Sequence, residues 1–156
     1  MRIHTPVAIV LAFAAGLAAS PLVRHVVTEA RADAALPAPL TAMMVDLTSR
    51  NYGNLPATPN PEMHSMTLVV TENATIALQS GNVAKHIHAH SDEIQYIIEG
   101  SGSMWLGNER HDFKPGTLII VPKGTAHAGT IVANGPVKAL AIKIPPQVQG
   151  DQTFVE

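Results

Sequence analysis

No cysteine occurs anywhere in the 156-residue chain, which excludes a disulfide framework, a zinc–thiolate site, an iron–sulfur cluster and a thiol nucleophile. Charge is scarce as well. Lys, Arg, Asp and Glu make up 14% of the residues, the formal net charge is −2, and ten scattered basic residues do not form the clustered surface that nucleic-acid phosphates require. Three catalytic signatures are missing. No serine sits in a Gly-x-Ser-x-Gly elbow, no Gly-rich phosphate loop carries a Lys, and no carboxylate pair has the spacing of a glycoside hydrolase. Gly100-Ser101-Gly102 lies between two strand-like runs and reads as a turn. What is plentiful is aliphatic. At 46% hydrophobic residues the chain holds enough Leu, Val, Ile and Ala for one domain core, so a disordered tail, a collagen-like chain and a repeat array do not fit.

Residues 1–32 differ from the rest and read as a leader. Met1 to His4 gives a short basic start, Val7 to Ala19 is an uninterrupted apolar run, and Ala30-Arg31-Ala32 places small residues where a signal peptidase reads them. Cleavage after Ala32 would leave Asp33 as the new amino terminus. The alternative is an uncleaved signal or anchor helix, because Pro6 to Val23 approaches the roughly 20 apolar residues that span a bilayer. Either reading exports the remainder, to the periplasm or medium, or to a membrane-anchored position facing away from the cytoplasm. Removing the leader takes three arginines and one glutamate with it, so the net charge falls from −2 to −4.

Residues 33–63 carry Pro37, Pro39, Pro56, Pro59 and Pro61, which break any long element, and read as a linker and N-terminal arm. A short strand is expected over Met43 to Thr48 and a turn at Asn51-Tyr52-Gly53-Asn54. The domain itself is assigned to residues 64–156. From Ser65 onward short β-type runs alternate with Gly, Asn or Pro: 66–71, 74–78, 83–88, 93–98, 103–106, 118–121, 128–132 and 137–144. Helical periodicity is absent over any useful length, so the pattern predicts an all-β sandwich or barrel. Antiparallel closure is how so small a chain avoids exposed edges.

The histidines carry the chemistry. His86, His88 and His90 alternate, and residues two apart on a strand project from the same face, which sets the imidazoles of His86 and His88 side by side. Glu93 opens the run after the turn at Ser91-Asp92, where an antiparallel hairpin brings its carboxylate round to the two rings. Two imidazoles and a carboxylate are a metal-binding constellation. His127, after the turn Pro122-Lys123-Gly124, is the candidate fourth ligand from across a closed sheet.

These residues resemble the cupin superfamily. Gly81, His86-Ile87-His88, Glu93 and Gly100 follow the first cupin motif, and Gly116, Pro122, Gly124 and His127 follow the second, over a shared span of about 64–145. Four residues separate Gly81 from His86 where the family pattern has five, and Ile131 stands where the second motif ends in Asn. Neither position is a ligand. The resemblance implies a double-stranded β-helix, the cupin jelly-roll barrel, with one divalent transition metal (Fe, Mn, Ni, Co, Cu or Zn) held by His86, His88, Glu93 and His127. It also implies a homodimer, with residues 40–63 as the candidate for strand exchange. On a six-coordinate ion these four ligands leave two positions open for a small molecule, whereas tetrahedral zinc would be closed and structural.

Around the metal group, Gln95 shares the inward parity of Glu93 and is a candidate to steer substrate or protons, together with Glu93 and His90. Ile97, Gly129 and Ile131 are expected on the inner faces of a partly apolar cavity. Trp105 and Tyr96 are expected to pack rather than stack on a ligand, and His64 and His111 to lie at the surface. Two functions follow. One is a small extracytoplasmic metalloenzyme acting on an oxygen-rich small molecule, an oxidoreductase such as a dioxygenase, or a lyase or isomerase. The other is a non-catalytic module that binds metal or a small ligand.

Overall fold

The computed structural model describes residues 39–156, so the leader expected over residues 1–32, with any signal or anchor helix, lies outside the described residues. All eight elements in the described part are strands. They are β1 (Met63–Val70), β2 (Thr75–Gly81), β3 (His86–His88), β4 (Asp92–Leu106), β5 (Glu109–Phe113), β6 (Leu118–Val121), β7 (His127–Ile144) and β8 (Gln152–Phe154). Every pairing is antiparallel. The order β1-β2-β7-β3-β8 forms one path, and β4 joins it by pairing with β7 while also holding β5 and β6. The all-β expectation is therefore met by one curled antiparallel sheet.

Two strands are longer than the sequence pattern suggests. The runs expected at 93–98 and 103–106 are one strand, β4, and those at 128–132 and 137–144 are one strand, β7. Gly100 and Gly102 explain how β4 continues through a segment that reads as a turn. A Cβ on Gly102 would stand 2.2 Å from the Ile131 carbonyl oxygen, and Gly100 has φ +82° with Val137 Cα 2.7 Å from its absent Cβ. Only glycine lets β4 and β7 approach there while the sheet bends, and the register slips along the same stretch.

The core sits inside the curl, where Ile97, Met104, Phe113, Ile119, Val121, Val137 and Ala139 form one buried cluster. Each large member contributes about 2 kcal/mol by leaving water. The arm before β1 has no strand at Met43 to Thr48, but it does turn at Asn51 to Asn54, with the Asn54 amide on the Asn51 carbonyl. It folds back on its own sheet: the buried Lys138 ammonium donates to the Leu47 and Arg50 carbonyls and pairs with Glu99, and Ala57 bridges His64.

Candidate metal centre

Strand alternation delivers the two leading histidines as expected. On β3, His86 and His88 are buried while Ile87 between them is not. β3 lies between β7 and β8, and His86 stands directly across from His127 at the start of β7. Glu93, at the start of β4, faces Val121 of β6 on one side and Lys143 of β7 on the other. The result is one buried group: donor atoms of His86, His88, Glu93 and His127 all lie within 4.8 Å of one another. Glu93 Oε2 is 3.1 Å from His127 Nε2 and 3.2 Å from His88 Nε2.

The outward ring nitrogens decide which atoms face inward. His86 Nδ1 donates to the Ala84 carbonyl at 2.8 Å and His127 Nδ1 to the Thr125 carbonyl at 3.0 Å. A carbonyl only accepts, so both rings carry a proton on Nδ1; His86 then presents a bare Nε2 to the centre, while His127 Nε2 meets the Glu93 carboxylate at 3.1 Å, a contact that calls for a proton or a cation between the two. His88 Nε2 accepts from the Lys143 ammonium at 2.9 Å, which calls for the same tautomer, and its Nδ1 lies 3.2 Å from the Asp151 carboxylate without a hydrogen bond to it. Three Nε2 atoms and a carboxylate thus converge on one centre. Such a set fits a divalent N/O-binding cation.

Electrostatics agree with a neutral His86. Burial pushes the His86 ring down to about 4, aided by His127 and His88 and opposed by Ala84 and Glu93, so the ring is neutral at neutral pH. Burial works to raise the Glu93 carboxyl, but the His127 and His88 rings and the Lys143 charge outweigh it and hold the group well below the usual carboxylate range. Burial lowers the Lys143 ammonium, against the pull of Glu93 and Asp151.

The group opens on a cavity of about 540 Å³. Gln95 lines it and donates to Glu93 Oε1 at 3.0 Å, as its inward parity suggests. Ile97, Met104, Phe113 and Val137 supply an apolar wall. His90 is not brought to the group. Its side chain is exposed on the turn after β3, and its part is played by its backbone amide, which donates to Asp151 Oδ1 at 2.6 Å.

Gly129 and Ile131 do not line the cavity either, and Ile131 is 62% exposed. Ala128 at φ 70° and Gly129 at φ 57° are both left-handed, which interrupts the two-residue alternation of β7 and turns Ala128 and Thr130 inward instead. Tyr96 and Trp105 are absent from the lining, and Trp105 packs under Lys85 and Arg110. His111 is exposed, whereas His64 is half-buried and stacks on Tyr52 at 4.1 Å.

Two functional residues escape the sequence reading. Lys143 had a signal, since it continues the inward parity of Val137, Ala139 and Ala141 on β7, where a lysine is out of place. Asp151 had none. It is the one fully buried residue of a tail whose neighbours are mostly exposed, and it meets His88 only because β8 pairs with β3.

Comparisons with known proteins bear on the family and the fold. Residues 74–143 match the cupin domain family. An uncharacterised protein of Methanocaldococcus jannaschii is 39% identical over 71 residues, 46% of this chain and 57% of that protein, so the chain spans little more than half the length of that curated relative. Among solved structures, an uncharacterised double-stranded β-helix protein of Klebsiella pneumoniae superposes at TM-score 0.57 with 16% identity, covering 74% of this chain and 99% of that one. KdgF from Halomonas sp. superposes at 0.53 with 17% identity over 58% of this chain and 87% of its own. Pac13, a nucleoside dehydratase, superposes at 0.51 with 19% identity over 61% and 79%. At these identities the structural likeness speaks for the fold.

Proposed function

We propose, from the premise that this chain carries a cupin domain, that it is a metal-dependent protein acting on an oxygen-bearing small molecule. His86, His88, Glu93 and His127 would hold one divalent transition-metal ion at the mouth of the 540 Å³ cavity. One observation carries the reading. Three buried rings turn their Nε2 atoms inward, two of them with Nδ1 committed to a backbone carbonyl, and a cation between these nitrogens and the Glu93 carboxylate would satisfy all four. A bound ion would supply Lewis-acid polarisation of a ligand oxygen or, with Fe, Mn or Cu, electron exchange.

The chain's own residues do the rest. Gln95 holds Glu93 Oε1 in place, and Asp151 sets a carboxylate 3.2 Å behind the His88 ring. The apolar wall of Ile97, Met104 and Phe113 seats the uncharged part of the ligand and keeps water from it. The non-catalytic reading has one observation in its favour. Among the described lining residues, the only acid–base groups are His86, Glu93 and Lys143, and the first two are donors of the metal group. Export rests on the composition of residues 1–32, and amino-terminal sequencing of secreted material should give Asp33.

Elemental analysis of protein purified without chelating resin tests the main reading. About one equivalent of metal, lost in His86→Ala/His88→Ala, is the expected result. That double variant should keep a β-type circular dichroism spectrum, because the apolar cluster rather than the ion stabilises the fold. Wild-type protein that remains metal-free after reconstitution overturns the metal reading.

A further inference from the structure

Lys143 is a lysine placed against the metal group. Its Nζ donates to His88 Nε2 at 2.9 Å and to Gln147 Oε1 at 2.5 Å, and it lies 3.9 Å from Glu93 Oε2. The position follows from register, since Lys143 is the direct cross-strand partner of Glu93. Its side chain is only 12% exposed. An ammonium has three donors and no acceptor, so its contact with His88 uses the ring's lone pair. That is the lone pair a metal ion would take.

Both cannot have it. When an ion takes His88 Nε2 and the Glu93 carboxylate, the ammonium loses both its neighbours in the group and keeps only the neutral amide of Gln147. Among the described residues that line the cavity, Glu93 and Lys143 are the only fully charged side chains. The rest of the cavity lining is neutral, with amides from Gln79, Gln95 and Gln152 and apolar groups from Ile97 and Phe113, while the Asp151 carboxylate acts on Lys143 from outside the cavity. On its cavity side a largely buried cation facing such walls lacks an anion.

We propose that Lys143 is the specificity-determining residue of the cavity, releasing His88 when the metal group is filled and pairing with the carboxylate of the ligand. The ligand is then a small monocarboxylic acid with an uncharged, largely apolar body. A second acidic group would find no second cation among the lining residues. This inference rests on the metal reading above for the release of His88, while the anion preference is measurable separately.

Calorimetry on the wild type, Lys143→Met and Lys143→Gln tests it with Ni²⁺ alone and with pairs of acids and amides from acetate/acetamide to benzoate/benzamide. Removing the competing ammonium should raise Ni²⁺ affinity about tenfold in both variants. In the Ni²⁺-loaded wild type at least one acid should bind about tenfold or more tighter than its amide, the increment expected of a charged hydrogen bond. Both variants should lose that preference. By linkage, the same acid should strengthen Ni²⁺ binding in the wild type and not in the variants.

Lower Ni²⁺ affinity in both variants would overturn the proposal, as would an acid preference that survives them or is absent from every pair. If Ni²⁺ binds while no acid is preferred, Lys143 fails and the metal reading stands. If Ni²⁺ fails to bind while a preference for acid disappears with Lys143, the anion site stands and the metal reading fails.

Discussion

Replacing Asp151 with Asn is the sharpest probe of how the metal group is held. Asp151 is fully buried, accepts the His90 amide on Oδ1 at 2.6 Å, and sets Oδ2 3.2 Å from His88 Nδ1. Asparagine keeps the shape, and its carbonyl oxygen can still accept from His90. Its NH₂ group then stands where Oδ2 stood and points donors at Nδ1. The neutral ring answers by moving its proton to Nε2, which removes the lone pair the metal needs. Changes of this kind behind a ligating histidine weaken metal binding about 10–100-fold, or about 1.4–2.7 kcal/mol. Asp151→Ala differs, because it also strips the His90 amide of its acceptor and should lower metal-free stability by about 1–3 kcal/mol. Calorimetric Ni²⁺ titrations and urea unfolding in chelator separate the two effects. An Asn variant that binds Ni²⁺ as tightly as the wild type refutes the tautomer argument, and one as unstable as the Ala variant makes Asp151 a structural residue only.

Two further outcomes follow from burial and close approach. The His86 ring is depressed to about 4 in the folded protein, chiefly by burial, so between there and its ordinary 6.5 the unfolded chain binds more protons. Stability of the metal-free protein is therefore full above about pH 6.5 and is lost as the pH falls towards 4, by about 1–3 kcal/mol once solvent screening is allowed for. Glu93 adds a loss of the same sign below its ordinary 4.5, and a metal-free Tm that holds or rises from pH 7 to 4.5 contradicts this. Gly102→Ala would press a methyl against the Ile131 carbonyl oxygen and should cost about 3 kcal/mol in urea unfolding. Gly107→Ala, with φ +66° and nothing within 4 Å of the added carbon, should cost about 1 kcal/mol from backbone strain alone. Equal losses in the two would remove the argument that contact between β4 and β7 dictates glycine.

How far the sequence carries depends on the range of the interaction. His86 and His88 share a face because alternation is local, and Glu93 joins them through a short turn, so spacing alone points to three of the four donors. His127 is reached across the sheet, and the second cupin motif marks it. Alternation fails where the backbone departs from an extended conformation. Nothing in His127-Ala128-Gly129 announces that Ala128 as well as Gly129 takes a positive φ, and that single departure moves Ile131 out of the cavity and Thr130 in. β8 was also unreadable, since a three-residue strand has no pattern of its own and exists by pairing with β3.

The apolar core and the polar group share their strands, and that arrangement explains why the metal group can be so heavily buried. β4 carries Glu93 at one end and Ile97 and Met104 further along, while β7 carries His127, Ala139 and Lys143 on the same inner surface. Three imidazoles and a carboxylate without a cation would be a costly interior, because their acceptors repel and lack water. In the metal-free chain Lys143 reduces that cost by offering donors to His88 from across the strand pair. A bound ion would therefore have to displace a resident cation. On the proposal above, metal affinity, the position of the lysine and acceptance of a carboxylate would become one linked equilibrium on β7. Removing Lys143 should raise the first and lose the last.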